Sequence, residues 1–226
     1  MQLTVKEAAK FLDVPERQIF AWIDGGEIPF SRGQGGIRFN ETELLEWATG
    51  RRLRASHELV SASAHAQDGP SLADALALGG IHHGLSAPDR DAAIRAVVER
   101  MPLGAEADRE TLIEIMLARE AAGSTAVGDG IAIPHVRAPV VQSGARPAIA
   151  LCTLARPIDF GARDQKPVHT LFLLLTPSVG AHLQMLARLA AALHDEGFKA
   201  AVLRRAPEED ILAEARRLDA AAKAGR

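Results

Sequence analysis

The chain has 226 residues, 47% of them hydrophobic and 24% charged, with a formal net charge of −3. That balance gives no global pull toward nucleic acid or a membrane surface, and no apolar run reaches the roughly 18 residues needed to span a bilayer. The single cysteine, Cys152, excludes an internal disulfide and a thiolate-cluster metal site, and the absence of tyrosine removes that residue from any mechanism.

The N-terminus lacks a signal peptide's apolar core, so the composition predicts a cytoplasmic protein. The first fifty residues read as a compact unit. Thr4-Val5-Lys6-Glu7 has the form of a capping box opening a helix through Ala8, Ala9, Phe11 and Leu12. Pro15 begins a second helix whose apolar side is Ile19, Phe20, Trp22 and Ile23, and Gly25-Gly26 ends it. Ile28-Pro29-Phe30 and Ile37-Arg38-Phe39 flank a glycine-rich tip, as in a hairpin. Asn40 caps a third helix carrying Leu44, Leu45 and Trp47, with Gly50 at its end.

Helix, turn, helix, wing, helix is the order of a winged helix-turn-helix. The runs Leu3-Thr4-Val5-Lys6-Glu7-Ala8-Ala9, Trp22-Ile23-x-x-Gly26-x-Ile28-Pro29 and Arg38-Phe39-x-x-x-Glu43-Leu44 resemble excisionase-type and MerR-like DNA-binding domains. The resemblance implies DNA as a partner. Arg17 and Gln18 then open the recognition helix, where base contacts are made; Arg32, Gln34 and Arg38 belong to the wing. Arg51, Arg52 and Arg54 follow and would reach the phosphate backbone. Against this, residues 1–50 hold five bases and eight acids, and duplex affinity comes largely from neutralised phosphates. A vestigial or protein-binding helix-turn-helix is therefore the alternative, and a homodimer on paired half-sites is one way to raise affinity.

A small, polar stretch from Arg54 to Pro70 reads as a flexible linker in which His57 and His65 are solvated. The resulting division is a helix-turn-helix domain over 1–54, a linker over 55–70 and a second domain over 71–226. The second domain alternates strands and helices. A strand is expected at Gly80–Leu85. A helix at Asp89–Met101 buries Ala93, Ile94, Val97, Val98 and Met101, and another at Arg109–Ala121 buries Leu112, Ile115, Met116 and Leu117. Strands follow at Ile131–Pro134, Ala148–Leu154 (with Cys152 as a buried structural residue) and Val168–Leu175. A helix at His182–His194 carries Leu183, Leu186, Leu189, Ala190 and Leu193, and Pro207 opens a last helix. This interleaving gives an α/β fold, a central sheet flanked by helices.

The stretch Val127-Gly128-Asp129-Gly130-Ile131-Ala132-Ile133-Pro134-His135 is the most informative. It places a histidine directly after a proline, at the end of a short apolar strand, behind a flexible Gly-Asp-Gly turn. With Glu120 upstream, it resembles the phosphorylation motif of phosphotransferase system IIA domains, of the fructose/mannitol and nitrogen-regulatory (PtsN-like) branch. The resemblance runs from about Ser71 to Ala220, through Leu117–Thr125, Pro157–Phe160, Leu171–Leu175 and His182–Ala190. It implies a mixed sheet, His135 as acceptor of a phosphoryl group from a phosphorylated HPr-like carrier, Arg119 facing the phosphohistidine, and His182 as the second active-site histidine. A regulated target protein or a separate IIB component would follow downstream. One position departs from the family: a small residue, often glycine, usually follows the histidine. Here Val136 does, and its branched side chain is expected to narrow access to His135.

Phosphoryl transfer requires an in-line nucleophile and donors for the equatorial oxygens. A neutral imidazole supplies the first if its other nitrogen is held by an acceptor. Arg119, ending a helix, can turn its fork to phosphate; His182, read as opening a helix after Gly180, would sit by free N–H groups that favour an anion. Ser124 and Thr125 support the loop. His82 and His83 point to opposite faces of a strand, and His169 and His194 lack site spacing. No nucleotide-binding fingerprint is present, and no cofactor is expected. The resulting reading is a regulatory phosphoryl carrier coupled to a DNA-binding domain. The competing one is a DNA- or protein-binding regulator whose IIA-like domain is a non-phosphorylated docking module, a reading that rests on Val136.

Overall fold

The computed structural model describes residues 2–33, 36–50, 71–104, 107–136 and 146–224. The expected linker, with Arg51, Arg52, Arg54, His57 and His65, lies outside the described residues, as does Gln34.

In the N-terminal unit, β1 (Gln2–Leu3) leads to α1 (Val5–Phe11). Its capping box is formed: Thr4 N donates to Glu7 Oε2 at 2.7 Å, and Glu7 N donates to Thr4 Oγ1 at 3.3 Å. Pro15 stands just outside α2 (Glu16–Asp24) as its cap residue rather than as its first residue. Of the apolar side expected for α2, Ile19 and Ile23 are buried, but Phe20 is 45% exposed. At 100° per residue Phe20 falls one step round the helix from Ile19 and leaves the inward stripe.

The wing is β2 (Ser31–Gly33) against β3 (Gly36–Asn40), with Gly33 opposite Gly36. Its first strand thus begins at Ser31, not Ile28; Ile28 instead fills the core at 3% exposure. β1 pairs with the other edge of β3. Asn40 Oδ1 accepts from Glu43 N at 3.3 Å and caps α3 (Glu41–Gly50). Trp22 and Trp47 meet edge to face at 4.8 Å, and Trp47 Nε1 donates to the Glu27 carbonyl at 2.6 Å.

Among the described residues the second unit is built on five strands: β4 (Ile81–Leu85), β5 (Ala126–Gly128), β6 (Ile131–Ala132), β7 (Ala148–Ile158) and β8 (Val168–Leu175). Their order is β4-β7-β8-β6-β5, with β4–β7 and β6–β8 parallel and β7–β8 and β5–β6 antiparallel, so the sheet is mixed. Side chains alternate across it. Ile149, Leu151, Phe172 and Leu174 enter one apolar cluster; Ala148, Ala150, Cys152, Leu154, Leu171 and Leu173 enter the other.

The second of these clusters is covered by α5 (Arg90–Arg100) and α6 (Arg109–Ala121). Ile113 is buried there at 4%, and Ile115, expected inside, is 40% exposed; the helix is rotated so that Leu112, Ile113, Met116 and Glu120 face in. The first cluster is covered by α4 (Leu72–Gly79), α7 (Val179–His194), α8 (Glu196–Leu203) and α9 (Glu208–Ala224). A Cβ on Gly79 would lie 2.2 Å from the Ile149 carbonyl carbon, so only glycine lets α4 end against β7. Asp219 of α9 holds that corner. It accepts from Ser71 Oγ, Leu72 N, Ala73 N and Arg188 Nη1 at 2.7–3.1 Å, stapling α9 to the start of α4 and to α7.

The same apolar cluster continues into the N-terminal unit through Leu44, Leu45 and Ala48, where α3 packs against α7 and β5.

Candidate functional site

Three successive residues with positive φ, Gly128 (89°), Asp129 (51°) and Gly130 (72°), reverse the chain between β5 and β6. A side chain at Gly130 would put its Cβ 2.4 Å from the His169 ring. The turn is pinned, contrary to the flexibility expected of it. Asp129 N donates to Asp164 Oδ2 at 2.9 Å, and the Asp129 carboxylate receives Lys199 Nζ at 2.9 Å and Lys166 Nζ at 3.2 Å.

Beyond β6 the chain keeps running parallel to β8. Leu174 N donates to the Pro134 carbonyl at 3.0 Å, and His135 bridges Leu174. The alternation of the strand decides where the next side chains go. Ile131 and Ile133 point into the cluster that contains α7, while Ala132 and Val136 point into the opposite one. Val136 is 6% exposed there, with the sheet between it and the face of Ile133. The expected narrowing of access to His135 by Val136 is therefore corrected: the extra carbons fill the core on the far side.

His135 is 4% exposed and its Nδ1 lies 2.6 Å from the Ile133 carbonyl. A carbonyl only accepts, so Nδ1 carries a proton, and in the neutral ring the lone pair is then on Nε2. His182, 1% exposed, is the neighbour: the ring centroids are 5.1 Å apart, tilted by 41°. His182 does not open its helix. Ser178 caps α7, accepting from Ala181 N through its Oγ at 3.1 Å and from His182 N through its carbonyl at 2.9 Å. The open N–H end of α7 thus lies a turn before His182, whose own N–H is committed to the helix; the free-amide argument is corrected accordingly.

Arg119, half-buried in the last turn of α6, donates from Nη1 to the Gly123 carbonyl at 2.8 Å. Next to it Glu120 is 2% exposed and accepts from Thr125 N at 2.8 Å and Thr125 Oγ1 at 2.6 Å. This gives Glu120 a task that the motif alone did not: its carboxylate ties the end of α6 to the strand pair leading to His135. Ser124 Oγ donates to the Phe160 carbonyl at 2.6 Å, a loop-supporting bond of the expected kind. A hollow of about 180 Å³ lies between Val127, Asp129, Leu193, His194 and Lys199, at the β5–β6 turn and the far end of α7, and neither His135 nor His182 lines it.

The DNA-reading candidates lie in the N-terminal unit. Arg17 is exposed and Gln18 half-buried on α2, with exposed Phe20 beside them. In the wing, Arg32 is exposed with Cζ 5.7 Å from the Phe30 ring centre, and Arg38 Nη1 donates to the Ile37 carbonyl at 3.0 Å. Hydrogen bonds from the Thr4 backbone and hydroxyl, with a smaller attraction from Arg38, hold the Glu7 carboxyl below its ordinary range. Among the described residues no helix is long and apolar enough to cross a membrane.

Residues 76–215 match the family model described as phosphoenolpyruvate-dependent sugar phosphotransferase system, EIIA 2, and residues 3–59 match a helix-turn-helix domain. A nitrogen regulatory protein of Pseudomonas aeruginosa is 43% identical over 109 residues, 47% of this chain and 68% of that protein. A fructose-specific EIIA component of Haloferax volcanii is 37% identical over 112 residues, 47% of this chain and 71% of its own length. The crystal structure of IIA-Ntr from Neisseria meningitidis superposes with a TM-score of 0.56 at 26% identity, over 64% of this chain and 98% of that one. The chain belongs to the EIIA 2 family of the phosphoenolpyruvate-dependent sugar phosphotransferase system, and it carries a helix-turn-helix domain ahead of its IIA-type domain.

Proposed function

We propose that this protein is a regulatory phosphoryl carrier: His135 accepts a phosphoryl group from a phosphorylated HPr-like protein, and the N-terminal domain turns that state into output. The observation that carries the reading is the 2.6 Å contact of His135 Nδ1 with the Ile133 carbonyl, which aims the Nε2 lone pair away from the backbone. In the transfer, that lone pair forms the new N–P bond. The P–N bond to the donor's imidazole breaks, its electron pair staying on the donor nitrogen, and the Nδ1 proton of His135 stays in place. The positive charge that develops on the His135 ring is shared with the Ile133 carbonyl dipole. His182 supplies a hydrogen bond to the phosphoryl oxygens from the adjacent ring, and Arg119 supplies charge from the end of α6. Output runs through DNA contacts by Arg17, Gln18, Arg32, Gln34 and Arg38, or through a regulated protein or a separate IIB component.

Incubation with phosphoenolpyruvate, enzyme I and HPr tests the carrier role. The expected result is an acid-labile gain of one phosphoryl group in wild type and none in His135→Ala; an equal gain in that variant contradicts the assignment.

The second reading, a non-phosphorylated docking module, no longer has Val136 in its favour. It draws instead on the burial of His135, at 4% exposure. A donor that must approach in line cannot reach a covered nitrogen, so the question becomes what covers it.

A further inference from the structure

α7 is buried on more sides than a sheet can cover. His182, Met185, Leu186 and Leu189 follow the i, i+3, i+4, i+7 spacing of the stripe that a helix turns to a sheet, and all are at most 1% exposed. Leu183, Gln184 and Ala187 lie off that stripe and are nonetheless only 8%, 9% and 5% exposed, so six consecutive residues of α7, His182–Ala187, are withdrawn from water. α3 of the helix-turn-helix domain packs against α7 and β5, and its Leu44, Leu45 and Ala48 join the same apolar cluster as Leu183 and Ala187.

We propose that the helix-turn-helix domain is an intramolecular cover of the phosphotransfer face, so that seating of α3 on α7 and β5 and access of a phosphoryl donor to His135 exclude each other. This rests on His135 being the acceptor. The relation is reciprocal, because any state that favours one side of a two-state equilibrium disfavours the other. A phosphoryl group adds about −1.5 to −2 charges, and burying it in an apolar interface is unfavourable. α3 makes this worse for the closed state, since its sequence carries Glu41, Glu43 and Glu46 and no base. Phosphorylation therefore drives the helix-turn-helix domain off the IIA-type domain and frees it.

The test uses the full chain and two probes of His135. Diethyl pyrocarbonate reads accessibility of the ring without any phosphotransferase component; phosphorylated HPr reads transfer. Ala187→Arg places a long cation on the buried off-stripe flank of α7, in the cluster that α3 joins, and is expected to unseat α3. Since a minor open state is typically populated at roughly 0.1–10%, opening should speed carbethoxylation of His135 by at least about tenfold, and phosphoryl uptake with it. Hydrogen exchange in α3 and α7 should rise in the same variant and in phosphorylated wild type. If Ala187→Arg lowers the unfolding midpoint, Gln184→Lys carries the same comparison. Equal His135 modification rates in wild type and in a folded variant whose α3 and α7 exchange faster would overturn the proposal. Faster carbethoxylation without phosphoryl uptake in either protein would leave the cover standing and refute the carrier function.

Discussion

His135 and His182 lie 47 residues apart in the chain and meet with their ring centroids 5.1 Å apart, His135 anchored through Nδ1 to its own strand and His182 held in the first turns of α7. Each ring is positioned by a different element, so one can be altered without moving the other. Losing a phosphate donor in a water-poor site costs roughly 2.7–4 kcal/mol of transition-state stabilisation. His182→Ala and Arg119→Ala should each slow phosphorylation by about a hundredfold or more while circular dichroism stays unchanged. Wild-type rates in both variants would make the pair structural.

Asp219 closes the second unit across 148 residues, with four donors on one carboxylate that is largely buried beside Arg188. Removing it leaves Arg188 and two helix-start N–H groups without their acceptor. Breaking such a pair typically costs about 3–5 kcal/mol, so Asp219→Ala should lower the urea midpoint by that equivalent. A loss within about 0.5 kcal/mol, the range of ordinary surface changes, would contradict the role.

Cys152 is fully buried in β7, and burial pushes its thiol up to about 12. An unfolded cysteine ionises near ~8.5. Between those values the unfolded chain has lost a proton that the folded chain keeps, so stability falls as pH rises through that window and is indifferent to this group below it. Iodoacetamide at pH about 8 should label Cys152 no faster than the protein unfolds. Rapid labelling of the native protein would show that the thiol is not enclosed.

The N-terminal domain, with five bases against eight acids in residues 1–50, can neutralise few phosphates, so a single copy should bind DNA weakly and with a shallow salt dependence. A gel shift across salt concentrations should show affinity falling in an Arg17→Ala/Arg38→Ala double variant and changing when His135 is phosphorylated. Indifference to both arginines would make the domain a protein-binding module.

What the sequence revealed follows from what is local. The Thr4/Glu7 capping box, the Asn40 cap and the apolar runs of β7 and β8 depend on neighbours within a few residues, and each is present in the structure. α4 and α8 went unread because they are eight-residue helices: α4 is finished by Asp219 from the other end of the unit, and α8 by the Asp195 cap. Gly180 suggests a helix that opens at His182, whereas the Ser178 cap sets the start of α7 a turn earlier. The exposure of Phe20 and Ile115 and the burial of Ile113 are set by which way a helix is rolled against its neighbours, and a contiguous apolar pattern leaves that open. Val136 was misread for a related reason. Pro134 has no N–H to give the ladder, and the bond from Leu174 N to its carbonyl together with the pairing of His135 and Leu174 shows that the strand's alternation continues past it.

Whether His135 Nε2 is the atom that takes the phosphoryl group is read by nitrogen NMR of the full chain with labelled histidine. After incubation with phosphoenolpyruvate, enzyme I and HPr, phosphorus coupling is expected at Nε2 of His135, with its Nδ1 still protonated against the Ile133 carbonyl. Phosphorus on Nδ1, on another residue, or on no residue of a folded protein would contradict it.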